Sequence, residues 1–177
     1  SGILGLSRRI MLRATVIRNG EEIVTYRGLN DAFITSTGIS KIVRLKVDIN
    51  GTRLGGYRAD GVIVSTPTGS TADSAAAGGP ILDPEMEAVI MIPICPFTLS
   101  NRPLVLQGNQ PVYVDIERNQ RTQVILTIDG QDMFELEEGD KICFRVSEHR
   151  AMIVRSDKRN FFEVLRTKLN WSGGPDA

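Results

Sequence analysis

The chain has 177 residues, the size of one domain, and its 41% hydrophobic content is enough for a real core. Its 21 basic residues are balanced by 21 acidic ones, so no strongly basic face is implied and nucleic-acid binding is not expected. Two cysteines, Cys95 and Cys143, and one histidine, His149, make no metal motif and no disulfide framework, and no stretch is apolar enough to span a membrane. Both thiols are expected to be buried, in a reducing compartment.

In chain order, Ser1-Gly2 reads as an appended dipeptide, and no signal-peptide pattern follows, so the cytoplasm is the expected location. Residues 10–18 alternate loosely, Asn19-Gly20 turns, and residues 22–26 return. Asn-Gly between two such runs is a strong hairpin signal, because both residues tolerate positive φ. The device repeats with residues 41–49, Asn50-Gly51 and residues 52–57. Gly61–Ser65 is a short continuous apolar run, expected as a central strand buried on both faces. Further strands are expected at 88–94, 104–107, 112–116, 123–128 and 141–146, with turns at Asp129-Gly130 and Gly139-Asp140. A short alanine-rich helix is expected from Thr71 to Gly78, stopped by Gly78-Gly79-Pro80. Phe161, Phe162, Leu165 and Leu169 form one stripe of a C-terminal amphipathic helix. The expected fold is mainly β: an antiparallel sandwich of many short strands, one short helix and a C-terminal helix. The expected division is a sandwich domain over 1–156 and a helix with tail over 157–177.

The informative stretch runs from Asp60 to Ile81: a strand, a loop dense in hydroxyls and glycine, then a helix start. Unpaired first-turn N–H groups and the short donors of Thr66, Thr68, Ser70 and Thr71 suit a polar or anionic ligand. Gly69 allows close backbone approach. An ordinary turn capped by Ser70 or Thr71 is the plainer reading of the same spacing. It is not a P-loop, since no Gly-Lys-Ser/Thr follows.

Thr66-Pro67-Thr68-Gly69-Ser70-Thr71-Ala72 followed by Ala77-Gly78-Gly79-Pro80-Ile81 closely resembles the signature of NAD kinases. Leu29-Asn30-Asp31, the block from Pro93 to Val105, Asp129-Gly130-Gln131 and Lys168-Leu169-Asn170-Trp171 resemble further blocks of that family in the same order. The resemblance implies phosphoryl transfer from ATP or polyphosphate, with Mg, to the 2′-hydroxyl of the adenosine ribose of NAD. It implies that Asn30 and Asp31 hold the ribose hydroxyls and adenine edge, and that Asp60 meets an amide or amino group of the dinucleotide. Thr71, Ala72, Asp73, Ser74 and Ala76 would line the base pocket, with Gln131, Arg58 and Lys41 as further contacts. Lys41 and Arg58 also fit as solvated strand residues.

This sequence departs from the family at four points. Asp31 stands where Glu is usual, and its shorter arm leaves room for a bridging water. Asp73 stands where Tyr is usual, placing charge instead of a π-face near a dianionic ligand. Phe97 replaces a His. The family's Gly-Gly-Asp-Gly-Thr motif, which carries the expected base in an α/β domain, is absent. The resemblance therefore implies a partner α/β domain, no catalytic base or metal ligand in this chain, no kinase activity for it alone, and a homo-oligomer. The C-terminal stripe would pack on that domain, or cap its own sandwich. A non-catalytic NAD-binding regulatory module and a lipid kinase of the diacylglycerol type are the alternative functions.

Overall fold

A computed structural model describes residues 5–38, 42–97, 102–155 and 160–169. The strands are β1 (Gly5–Arg18), β2 (Glu21–Gly28), β3 (Asp31–Ser36), β4 (Val43–Ile49), β5 (Thr52–Ala59) and β6 (Gly61–Ser65). After a 3-10 turn at Thr68–Thr71 and a one-turn helix, α1 (Asp73–Ala76), come β7 (Ala88–Ile94), β8 (Leu104–Gln107), β9 (Val112–Ile116), β10 (Val124–Ile128), β11 (Asp132–Leu136) and β12 (Lys141–Arg155). The helix α2 (Phe161–Lys168) follows. Two six-stranded antiparallel sheets result, ordered β2-β1-β12-β9-β4-β5 and β11-β10-β3-β6-β7-β8. The mainly β architecture expected from the sequence is the one observed.

The turns behave as their residues dictate. Asn19-Gly20 (φ 54° and 85°), Asn50-Gly51 (49° and 81°) and Asp129-Gly130 (49° and 66°) all take left-handed backbone at both positions, the requirement of a two-residue hairpin turn. Alternation then sorts the side chains. Leu12, Ala14 and Val16 of one sheet and Ala32, Ile34, Val62, Val64 and Met91 of the other pool in a single core, as two inner sandwich faces should. The outer face of β6 and β7 is covered as well: Ile63, Ile90 and Ile92 pack with Leu82 from the segment that follows α1. That second cover explains why Gly61–Ser65 reads as continuously apolar.

Three expectations need correction. Residues 31–36 and 132–136 are strands with no counterpart in the sequence reading, and β12 runs on to Arg155. The short helix begins at Asp73 rather than Thr71, and neither Ser70 nor Thr71 caps it with a side chain. Cys143 is buried as expected, but Cys95 is exposed, in a turn at φ 45°.

The chain divides into two compact units, Arg9–Ala151 and Ser1–Arg8 with Met152–Ala177. The second contains α2, whose first turn is closed by reciprocal Asn160 and Glu163 bonds of 2.9 Å each, a capping box. Phe161 and Leu165 are half-buried while Phe162 and Leu169 are exposed. No described helix is long and apolar enough to cross a membrane.

In the larger unit, one buried ion pair ties the end of β1 to the turn before β12. Arg18 grips both oxygens of Asp140 at 2.8 Å through Nε and Nη2, and Asp140 Oδ2 also accepts from Glu137 N at 2.8 Å. The Asp140 side chain is 0% exposed and that of Arg18 26%. Removing the arginine strands a buried carboxylate, whereas removing the acid leaves a cation that water can reach. We expect Arg18→Met to cost about 3 kcal/mol in urea unfolding, more than Asp140→Asn; equal or negligible losses would contradict that account.

Candidate functional site

Antiparallel pairing of three central strands brings three sequence-distant segments to one sheet edge. Asp31 pairs with Ser65 across β3 and β6, and Ala32 pairs with Ile128 across β3 and β10. The start of β3, the end of β6 and the end of β10 therefore meet. Leu29-Asn30-Asp31, the loop from Thr66, and Asp129-Gly130-Gln131 follow directly from those ends.

Every backbone polar group of Leu29, Asn30 and Asp31 is occupied by the other two segments. Asp129 accepts from Leu29 N (2.7 Å) through Oδ2, and from Asn30 N (2.8 Å) and Asp31 N (3.1 Å) through Oδ1. Asp129 N in turn donates to Asp31 O at 3.0 Å. On the other side, Thr66 Oγ1 donates to Leu29 O at 2.6 Å, and Thr66 N donates to Asn30 O at 2.8 Å. Ser65 Oγ adds a 3.2 Å bond to Asn30 O. Gly69 is required here, because a Cβ would collide with Asn30 O. With the backbone consumed, the side chains of Asn30 and Asp31 are the polar groups left for chemistry.

The loop after β6 is built from its own hydroxyls. Thr66 Oγ1 accepts from Gly69 N at 3.1 Å. Ser70, fully buried, donates to Pro67 O at 2.6 Å and accepts from Leu82 N at 3.0 Å. Gly79 lies so close to Ser74 Oγ and O that no side chain fits. The hydroxyls of Thr66 and Ser70 thus serve the loop rather than a ligand, and α1 is too short to present a helix-end field. Three buried polar atoms of this corner have no hydrogen-bond partner among the described residues: Asp31 Oδ2, Thr68 Oγ1 and Ser74 Oγ. Native interiors rarely leave such atoms unpaired. Burial, with added repulsion from Asp73 and then Asp129, pushes the Asp31 carboxyl up to about 7.

Around Asp31 and Ser74, both buried, the residues Thr71, Ala72, Asp73, Ala76 and Gln131 form an exposed rim and Asn30 is half-buried. Arg58 and Asp60 lie elsewhere: they precede β6, so about 20 Å of extended chain separates Asp60 from Thr66. There Asp60 N bonds Ile94 O at 2.9 Å, and Phe97 N bonds Arg58 O at 3.0 Å. Lys41 lies outside the described residues. Sequence reasoning placed Asp129 in a turn and in a segment that resembles a family block but gave it no role, and it missed the structural duty of Thr66. Among the described residues, no group of three or more His, Cys, Asp or Glu side chains is arranged to hold a metal ion.

Residues 29–156 match the family model of the ATP-NAD kinase C-terminal domain. An NAD kinase of Treponema denticola is 46% identical over 98% of this chain and 61% of its own length. One from Geobacter sulfurreducens is 47% identical over 97% of this chain and 60% of its own. The chain therefore spans about three-fifths of the length of these curated relatives. Among solved structures, a yeast NADH kinase complexed with NADH superposes with a TM-score of 0.88 at 28% identity, covering 94% of this chain and 51% of that one. An Archaeoglobus fulgidus NAD kinase in complex with ATP gives 0.73, also at 28% identity, covering 92% and 61%. With the expected sandwich in place and its signature segments gathered at one edge, this chain belongs to the ATP-NAD kinase C-terminal domain family.

Proposed function

We propose that the corner formed by Asn30, Asp31 and the Thr66–Gly79 loop binds the adenosine ribose of NAD and presents its 2′-hydroxyl for phosphorylation. The observation that carries this reading is the fully bonded backbone of residues 29–31, which leaves the Asn30 amide and Asp31 carboxyl as fixed polar groups beside unpartnered Thr68 and Ser74 hydroxyls. A carboxyl and an amide held in this way suit vicinal hydroxyls. Asp31 is only 1% exposed, so its short arm reaches the ribose through a bridging water.

In the reaction, the 2′-oxygen forms a bond to the γ-phosphorus of ATP, the bond to the leaving ADP oxygen breaks, and the hydroxyl proton passes to a base. Phosphoryl transfer depends on in-line positioning and charge neutralisation. This chain supplies the positioning of the acceptor. The base and the phosphate clamp belong to a further α/β domain of the whole protein. The residues described here do not fit a metal site, and a magnesium ion would be bound with ATP on that domain. The whole protein is read as a homo-oligomer on the family resemblance. The Asn30-Asp31 pair beside the Thr68–Ala72 loop favours a nucleotide over a lipid acceptor. The free thiols agree with a cytoplasmic setting.

Calorimetric titration with NAD is expected to give saturable binding that falls at least about 100-fold in the Asn30→Ala/Asp31→Ala variant; wild-type chain that binds no NAD would refute the reading. Incubated with NAD, ATP and magnesium, the chain alone is expected to form no NADP above a mock preparation. Product formation would place the base within these residues. A third test concerns the buried acid. Its folded-state pKa lies above the unfolded one, so its contribution to stability is full below about pH 4 and is lost as pH rises through 7. Asp31→Asn should therefore raise stability by about 2 kcal/mol more at pH 8 than at pH 5 while weakening NAD binding. Urea unfolding at both pH values checks this, and a gain that does not grow with pH would refute it.

A further inference from the structure

We propose that Asp129 is a positioning residue for the acceptor site: its carboxylate, by gathering the three N–H groups of Leu29, Asn30 and Asp31, sets the direction of the Asn30 and Asp31 side chains. The inference rests on the reading of this corner as the NAD site. Three observations carry it.

The first is the geometry. Bonds of 2.7, 2.8 and 3.1 Å reach one carboxylate from three consecutive residues, and charge-assisted bonds of this kind are about twice as strong as neutral ones. The second is a comparison inside the molecule. Asn19-Gly20, Asn50-Gly51 and Asp129-Gly130 make the same left-handed turn. Asparagine serves the first two, so the turn itself does not call for an acid. Only the third faces a row of N–H donors. An asparagine there could accept through one oxygen, but its NH2 group would point at Leu29 N–H, donor against donor. The third is the space kept for the carboxylate. A Cβ at Gly28 would lie 2.8 Å from Ile128 Cγ2 and 3.0 Å from Asp129 Oδ1, so the residue before the segment is open only as far as the acid needs.

The Thr66 side clamps the carbonyls of Leu29 and Asn30, and the Asp129 side clamps the three N–H groups and the Asp31 carbonyl. Neither touches the proposed ligand. Loss of Asp129 leaves β3 paired with β6 and β10 but frees the segment that precedes it, so the effect falls on the side-chain direction of Asn30 and Asp31.

The test compares wild type, Asp129→Asn, Gly28→Ala and Arg18→Met. NAD affinity is measured by calorimetry, and amide hydrogen exchange of Leu29, Asn30 and Asp31 by NMR. In Asp129→Asn we expect NAD affinity to fall about tenfold or more, with faster exchange and upfield amide shifts at those three positions. Gly28→Ala, whose Cβ crowds both the carboxylate and Ile128 Cγ2, should give a smaller loss of the same kind. Arg18→Met weakens the fold elsewhere and should leave NAD affinity and the chemical shifts of the three amides unchanged. Should Asp129→Asn fail to fold, Gly28→Ala decides by the same readouts. Wild-type binding of NAD with unchanged affinity in Asp129→Asn and Gly28→Ala overturns the proposal and leaves the function standing. No NAD binding by wild type overturns both, and the wild-type titration alone distinguishes that outcome.

Discussion

Leu29, Asn30 and Asp31 sit between an aspartate that takes their three N–H groups and returns its own N–H to the Asp31 carbonyl, and a threonine and serine that take the carbonyls of Leu29 and Asn30. Backbone groups at a partly buried sheet edge must be paired, and here the pairing comes from two loops far apart in sequence. The rest of the larger unit is arranged so that those loops coincide. β10, β3 and β6 must be neighbours, must alternate in direction, and must end in register, or Asp129 and Thr66 would not face the same three residues. The hydrophobic core enforces this. Val124, Leu126 and Ile128 of β10, Ala32 and Ile34 of β3 and Val62 and Val64 of β6 all enter one core, and a slip of one residue would turn each of them outward.

A site built in this way concentrates local disorder of energy against a well-satisfied surround. The loop after β6 pairs nearly all of its groups, through Thr66, Ser70 and close-packed Gly69 and Gly79. The atoms left over, Asp31 Oδ2, Thr68 Oγ1 and Ser74 Oγ, are together in the same corner. Unpaired buried atoms cost roughly 1–3 kcal/mol each.

How much of this was legible in the sequence depends on the kind of signal. Asn19-Gly20 and Asn50-Gly51 announced their hairpins because the backbone demand falls on the two residues themselves. Gly61–Ser65 announced a doubly covered strand because both faces need apolar side chains. β3 and β11 gave weaker signals: Asp31-Ala32-Phe33-Ile34-Thr35-Ser36 opens on a buried acid, and Asp132–Leu136 mixes acids with apolar residues along a sheet edge. The Thr66–Ala76 stretch and Asn30-Asp31 pointed to the site through resemblance, but not to the division of labour within it. The hydroxyls of Thr66 and Ser70, read as ligand donors, make the loop's own bonds, and Asp129, read as a turn residue, is the acceptor for three amides. Such long-range pairings leave no local periodicity.

The departure at Asp73 acquires a physical meaning from its neighbour. An exposed carboxylate there is the second cause, after burial, that raises the Asp31 carboxyl to about 7. Two full negative charges beside an anionic pyrophosphate would oppose binding. With its carboxyl raised to about 7, Asp31 carries less negative charge at neutral pH than a free acid would. A protonated Asp31 can also donate a hydrogen bond, which a permanently ionised acid cannot. The shorter side chain, its burial and the acid at 73 thus act on one equilibrium. Any ligand that favours the ionised form must displace that proton, and any ligand that favours the neutral form retains it, so proton exchange accompanies occupation of this corner in proportion to which form the ligand selects.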